Sequence, residues 1–385
     1  LPQSEGGKAP DMRSVLEEIT ALRNGKPPVT DHRNSNRYCL VCTEENGTKT
    51  AYCFGVPIYN SHSKRLIDLR FCESGKTLRA YGSSAAASVT DEIFLEDEYG
   101  CCRIGLPKAK ACLSGRGLKY GNTVIYPTAN GILIKADCTV HRPFSVCLSV
   151  GQPFMPIRAN DRAFSLMREE FKPFVTVSCI GVLDSAGHLI APCVLEYQKN
   201  SDCEYLLDMK HTSPYGVTLL FEINMHVEKL FRDTTVESLH PDVNNAFGSI
   251  AFVGKTAAYG EQWLYSQPDF SKLPELYDKR IHKAVLHLPC LGGGNTLTAF
   301  GLRARFCSFG SDWDNKIMSA EEISDTVFSG GYQSLDITDL ITDDTHFLKP
   351  SEGLILRAKA NSAGFSAVST GDSCFAPQIL EVNFR

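Results

Sequence analysis

Trp313 stands among Asp312, Asp314 and Asn315 in the run Phe309-Gly310-Ser311-Asp312-Trp313-Asp314-Asn315. A flat indole beside carboxylates and an amide suits sugar recognition on a β-protein. The ring takes the C–H face of a pyranose and the polar groups take its hydroxyls. Trp313 is therefore the first candidate ligand contact, with Asp312, Asp314, Asn315 and Tyr332 beside it; the competing reading has Trp313 plug the core beneath its loop. Trp263 alternates with Gln262 and Leu264 and reads as core, and Tyr265 is a further aromatic candidate. Calcium ties strands of binding sandwiches through hard oxygen ligands. Asp233, Glu237 and Glu381 are the expected donors, with Asp312 and Asp314 in reserve. No contiguous loop of alternating acids accompanies them. A structural calcium is thus the one cofactor these residues suggest.

Catalytic motifs are sparse. There is no G-x-S-x-G elbow and no H-E-x-x-H pair. Cys39-Leu40-Val41-Cys42 is a lone C-x-x-C without the second pair of a zinc site. Gly292-Gly293-Gly294 lacks the Lys-Ser/Thr of a phosphate loop and reads as a hairpin tip. A glycosidase with two distant acids stays open, with Glu196, Glu204, Asp208 and Glu222 as its candidates. Solvated strand faces account for the same four residues.

The elements that must position these groups are strands. The 385 residues are enough for two domains, and 43% hydrophobic with 22% charged residues is the balance of a folded protein. A net charge of -5 offers no bulk attraction to nucleic acid or anionic lipid, and no apolar run reaches the ~18 residues of a membrane helix. Fifteen cysteines is a high and odd number, and many lie in strand-like apolar runs, such as Cys138, Cys147 and Cys179. Mostly free, buried thiols are expected. That points to a cytoplasmic protein or to the exterior of an anaerobe. A chain opening at Leu1 rather than Met is expected to be a trimmed or mature form, and its first residues show no charged-then-apolar leader.

Residues 1–36 read as a weakly attached leader with one short helix over Asp11 to Leu22, ended by Asn24, Gly25, Pro27 and Pro28. From Arg37 the pattern becomes short β runs. Tyr38 to Thr43 and Thr48 to Val56 flank Asn46-Gly47, a tight-hairpin signal. Further runs include Arg65 to Cys72, Thr77 to Tyr81, Gly131 to Cys138 and Val217 to Met225, and Asp161 to Phe171 reads as a single helical excursion. A second series opens near Leu230 and ends on the alternating run Ile379 to Phe384. Many strands at roughly ten-residue spacing imply an all-β protein of two β-sandwich domains, over 37–229 and 230–385, rather than βαβ units.

Residues 233–385 resemble the DNRLRE-type carbohydrate-binding domain family of bacterial and archaeal surface and secreted proteins. The resemblance rests on ordered blocks. Asp233-Thr234-Thr235-Val236-Glu237-Ser238 with Pro241, Asn244, Asn245 and Gly248 is similar to the opening strand and turn. Gln262 to Tyr265, Asp269 to Pro274 and Ile281 to Leu286 are similar to the next block, the Trp313 loop to its Trp-containing loop, Tyr332 to Leu340 with Glu352 to Leu356 to the late strand pair, and Pro377 to Phe384 to the last strand. Gln262 or Trp263 replaces the arginine usual at the start of the third block. The resemblance implies a jelly-roll-like C-terminal domain. The first half resembles the β-sandwich preceding this domain in some clostridial-type proteins.

These features predict a non-catalytic glycan-binding or adhesion protein of a bacterial surface or secreted assembly, with a cell-surface polysaccharide as partner. The alternatives are a scaffolding β-protein without sugar affinity and a carbohydrate-active enzyme with its acids in the first half.

Overall fold

A computed structural model describes residues 13–106, 110–137, 143–159, 161–169, 172–211, 218–317, 319–360 and 362–385. The protein is all-β, with antiparallel strands throughout and a short N-terminal helix. It divides into two compact units: residues 1–58 together with 228–385, and residues 59–227. The second unit is thus an insertion in the first.

The division corrects the expected boundary at residue 37. The hairpin Cys39–Thr43 and Lys49–Phe54 forms where Asn46-Gly47 predicts it, with Gly47 at φ 79°. It does not join the strands that follow it. Lys49–Phe54 pairs along its whole length with the terminal strand Ile379–Phe384, from Lys49 opposite Phe384 to Phe54 opposite Ile379. A strand with one apolar face needs a neighbour on each edge, and here that neighbour is the far end of the chain.

The expected loose leader is also corrected. The helix Val15–Leu22 is closed by a capping box, with Ser14 Oγ accepting from Glu17 N and the Glu17 side chain accepting from Ser14 N. Val15 and Ile19 are buried, and Arg23 donates to both oxygens of Glu44 at 2.5 and 3.0 Å. Asn36 Nδ2 donates to the Lys272 carbonyl and to Glu275. Asp11 and Met12, which open the expected helix, lie outside the described residues.

In the first unit the strand Ile281–Gly293 serves two layers. Its first two-thirds pair with Ile379–Phe384 and Tyr332–Asp336. After a register shift between Cys290 and Gly292, its end pairs with Phe365–Ser369. The shift bends the strand from one layer into the other. Gly293, at φ 73°, could not carry a side chain, because a Cβ would lie 1.9 Å from the Phe365 carbonyl oxygen. Val41, Ala51, Leu286, Leu380 and Val382 of one layer share a core with Val253, Leu264, Ala299, Leu356 and Val368 of the other. Alternation leaves Glu381, His287 and Ser334 on the face turned from that core.

In the second unit a nine-stranded and an eight-stranded sheet enclose one core, with Leu95, Ile104, Val146 and Leu207 meeting Ile125, Ile134, Val177 and Phe221. The expected helix over Asp161 to Phe171 is a strand, Ala163–Glu169, between Met155–Ala159 and Lys172–Leu183. Ladder partners on both sides outweigh the helix preference of Leu166, Met167 and Arg168. Phe171 lies outside the described residues, as do Cys138 and Val217.

Candidate functional site

The Trp313 loop is built largely to satisfy itself. Asp312 and Asn315 exchange hydrogen bonds at 2.8 and 2.9 Å through their backbone amides, and Asn315 Nδ2 donates to Asp312 Oδ2 and to the Gly310 carbonyl, each at 2.9 Å. Those oxygens close a turn before any ligand arrives. Trp313 is half-buried against Trp263 with ring centroids 4.9 Å apart, and Lys316 Nζ stands 4.3 Å from the Trp313 ring. Trp263 in turn carries the Arg357 guanidinium at 3.9 Å. The expected sugar-stacking indole is therefore already engaged with a ring and a cation. Asp314 is exposed, and its backbone N–H donates to the Pro241 carbonyl.

The three expected calcium donors have separate partners. Asp233 is buried and accepts from Gly371 N. Burial, with the charge of Asp372 next, holds its carboxyl well above the usual carboxylate range. Glu237 accepts from Gln262 Nε2 and contacts His240 Nδ1, each at 2.9 Å. Gln262, which with Trp263 stands where the resemblance expects an arginine, is buried and also accepts from Phe252 N at 2.6 Å. Glu381 lies 3.0 Å from His287 Nε2 on the other layer. Tyr332 is buried edge-on against His287, with centroids 5.9 Å apart. Among the described residues no three His, Cys, Asp or Glu side chains form a metal-sized cluster.

The four acids considered for a glycosidase sit in the second unit. Glu196 and Asp208 are opposed across a strand pair, and Lys210 bonds Glu196 and holds its carboxyl below the ordinary range. A general acid requires the opposite shift. Asp208 accepts from Ser145 Oγ at 2.5 Å, Glu204 accepts from Asn200 at 3.2 Å, and Glu222 is buried.

A concave site lies elsewhere, in a segment not singled out from its residues. An open depression of ≈ 590 Å³ is lined by residues between Asn60 and Tyr81. Ligand pockets commonly hold roughly 300–1,000 Å³. Leu66 and buried Ile67 line it, as do Arg79 and Tyr81 of the strand Thr77–Tyr81. Arg79 and Tyr81 share the outward face of that strand, roughly 7 Å apart by strand rise, while Ala80 between them is buried. Tyr81 is 53% exposed. The run Arg65 to Cys72, expected as a strand, is largely irregular and supplies further lining residues. Ile67, Leu69 and Phe71 alternate inward as in a strand, but only the bridge Leu66–Tyr59 and the short strand beginning at Cys72 pair.

Hydrogen bonds tie together the segments that line this site. Asn60 Oδ1 accepts from His62 N and Ser63 N at 3.0 and 2.9 Å, and Asn60 Nδ2 donates to the Gly82 carbonyl at 2.8 Å. Ser61 N donates to the Ser83 carbonyl. Behind them, buried Asn130 accepts from Ala85 N and Ser84 N at 2.8 and 3.0 Å. Gly82 is required here, because a Cβ would lie 2.3 Å from the Ala129 carbonyl oxygen. Asp68 is held by Arg70 at 2.6 Å and Arg116 at 3.3 Å. Arg65 and Arg79 are exposed, with no ion-pair partner among the described residues. The available signal was Arg79-Ala80-Tyr81 alternating after a Gly75 turn, a pattern shared with any solvated strand.

No protein-family model matches the chain, and no curated protein matches it.

Proposed function

We propose that this is a non-catalytic glycan-binding or adhesion protein of a cell surface or secreted assembly. One observation carries the reading: an open depression is lined by a half-exposed tyrosine ring, by apolar Leu66 and Ile67, and by hydrogen-bonding side chains. A pyranose has an apolar C–H face and a polar rim, and such a surface complements both. The block order of residues 233–385 that resembles the DNRLRE-type carbohydrate-binding family favours the same class. On this reading the depression of the inserted unit contacts saccharide, and the Trp313 loop is a structural feature of the other unit.

A glycan array probed with the full chain, Tyr81→Ala and Trp313→Ala tests this. Signal lost in Tyr81→Ala and kept in Trp313→Ala is expected. Loss confined to Trp313→Ala would move recognition to the C-terminal loop. Silence on every glycan would favour a scaffold, and release of reducing sugar from a polysaccharide would make the protein an enzyme.

A further inference from the structure

The depression carries a charge imbalance that neutral sugar does not require. Three arginines line it, Arg65, Arg70 and Arg79, against Asp68 and Glu73. Asp68 is already committed to Arg70 and Arg116. The guanidiniums of Arg65 and Arg79 and the carboxylate of Glu73 also line the depression, and none of the three forms an ion pair among the described residues. Guanidinium is a planar fork that matches a carboxylate bidentately, and it is weakly hydrated, so an exposed pair of such groups favours an oxyanion over a hydroxyl.

The spacing suits an anion attached to a ring. Arg79 and Tyr81 project from the same strand face, roughly 7 Å apart. A pyranose lying on the Tyr81 ring therefore brings a substituent at its edge within reach of Arg79, and Arg65 lines the same depression. We infer that the depression binds a hexuronate, an acidic pyranose whose carboxylate is held by Arg65 and Arg79 and whose apolar face rests on Tyr81. This inference rests on the saccharide reading above and names its substrate class.

Calorimetric titration of the full chain with three probes tests it: a galacturonate tetramer, the matched neutral galactose tetramer, and inorganic sulfate. The acidic tetramer should bind at least about tenfold more tightly than the neutral one, the ratio expected when one charge-assisted hydrogen bond is gained. Raising the salt concentration should narrow the gap. Arg65→Gln combined with Arg79→Gln should abolish the preference for the acidic tetramer, and Tyr81→Ala should weaken both tetramers. All three positions are exposed, and far-UV circular dichroism checks that each variant folds. Equal affinity for the two tetramers overturns the hexuronate assignment and leaves the saccharide reading intact. Sulfate binding as tightly as the acidic tetramer reduces the site to a general anion site and overturns the assignment as well. Absence of binding to either tetramer overturns the hexuronate assignment, and the glycan array then decides whether the saccharide reading falls with it.

Discussion

His287 Nε2 lies 3.0 Å from Glu381 Oε2 on the outer face of a β-layer, and His287 Nδ1 lies 2.8 Å from Ser334 Oγ. The chain of contacts continues across the strands. Glu381 Oε1 accepts from Asn383 at 3.3 Å, Asn383 Oδ1 lies 2.7 Å from Thr50 Oγ1, and Thr50 Oγ1 lies 2.9 Å from Glu44 Oε1. Glu44 then receives Arg23 from the end of the N-terminal helix. Glu381, expected as a calcium donor, is a link in this ladder.

Removing that link should cost stability, because Glu381→Ala strands a buried imidazole and the Asn383 amide. A loss of about 1–3 kcal/mol is expected from unsatisfied partners. Glu381→Gln, which keeps acceptor and shape, should lose less. Urea unfolding midpoints for the two variants measure this, and equal midpoints would show that the ladder contributes nothing.

Asp233 makes a second prediction, through pH. Burial and the neighbouring Asp372 raise its carboxyl well above an unfolded aspartate near 3.9. The folded chain therefore keeps a proton that the unfolded chain releases. The stability linked to this group is complete below about pH 4 and is lost as pH rises through the folded-state value. Asp233→Asn makes the neutral form permanent, so it should flatten that decline and leave stability at pH 7 unchanged or slightly higher. Asp372→Asn should instead destabilise, since Asp372 is the counter-ion bonded to Lys229. A collapse of the Asp233→Asn variant at pH 7 would mean that the ionised aspartate is the form the fold needs.

The N-terminal helix should loosen as pH rises. Burial pushes the Glu18 carboxyl up to about 7, with Arg13 lowering it and Glu17 raising it. An unfolded glutamate titrates near 4.3, so the helix is best held below about pH 4.3 and loses that support up to about pH 7. Hydrogen exchange over Val15–Leu22, corrected for intrinsic rate, should report weaker protection at pH 8 than at pH 5. Glu18→Gln should remove the difference, and a helix equally protected at both pH values would contradict the assignment.

Cys39 and Cys53 are directly opposed in the hairpin, and both are buried free thiols. Phe54 N donates to the Tyr38 carbonyl, while the Cys39 N–H and carbonyl both turn to Asn36. The two cysteines thus occupy a non-hydrogen-bonded position, where Cα atoms stand roughly 4.5 Å apart, within the span of a disulfide. Treatment with a small-molecule disulfide should oxidise the pair to a cystine and reduce the reagent to two thiols. Closing a loop of about 15 residues should stabilise the unit by about 3 kcal/mol in the chain-entropy account. Peptide mapping under non-reducing conditions, together with a thermal melt, tests this. Recovery of both thiols unmodified after unfolding in the presence of alkylating agent would refute it.

Much of the architecture was legible in the residues. Period-two alternation in Ile379–Phe384 marks a strand with one buried face, and Asn46-Gly47 marks the hairpin; both stand in the structure. Alternation also misled where its partner was missing, since Arg65 to Phe71 alternates without forming a ladder. The site fared worse. Trp313 was legible as an aromatic among polar residues, but its contacts with Trp263 and Lys316 come from a strand and a turn whose approach no local pattern records.

By itself, the order of amino acids determined that this chain hides its apolar side chains between antiparallel sheets, because the spacing of apolar residues along a strand states which face turns inward. It could not determine which strands lie side by side. Thr50 meets Asn383 across 333 residues of chain, and an insertion of residues 59–227 separates the two parts of one core. Backbone hydrogen bonds are nearly the same for every pairing, so only the fit of whole faces selects one. That selection, made in three dimensions, also gathered Arg65, Arg79 and Tyr81 into the lining of one depression.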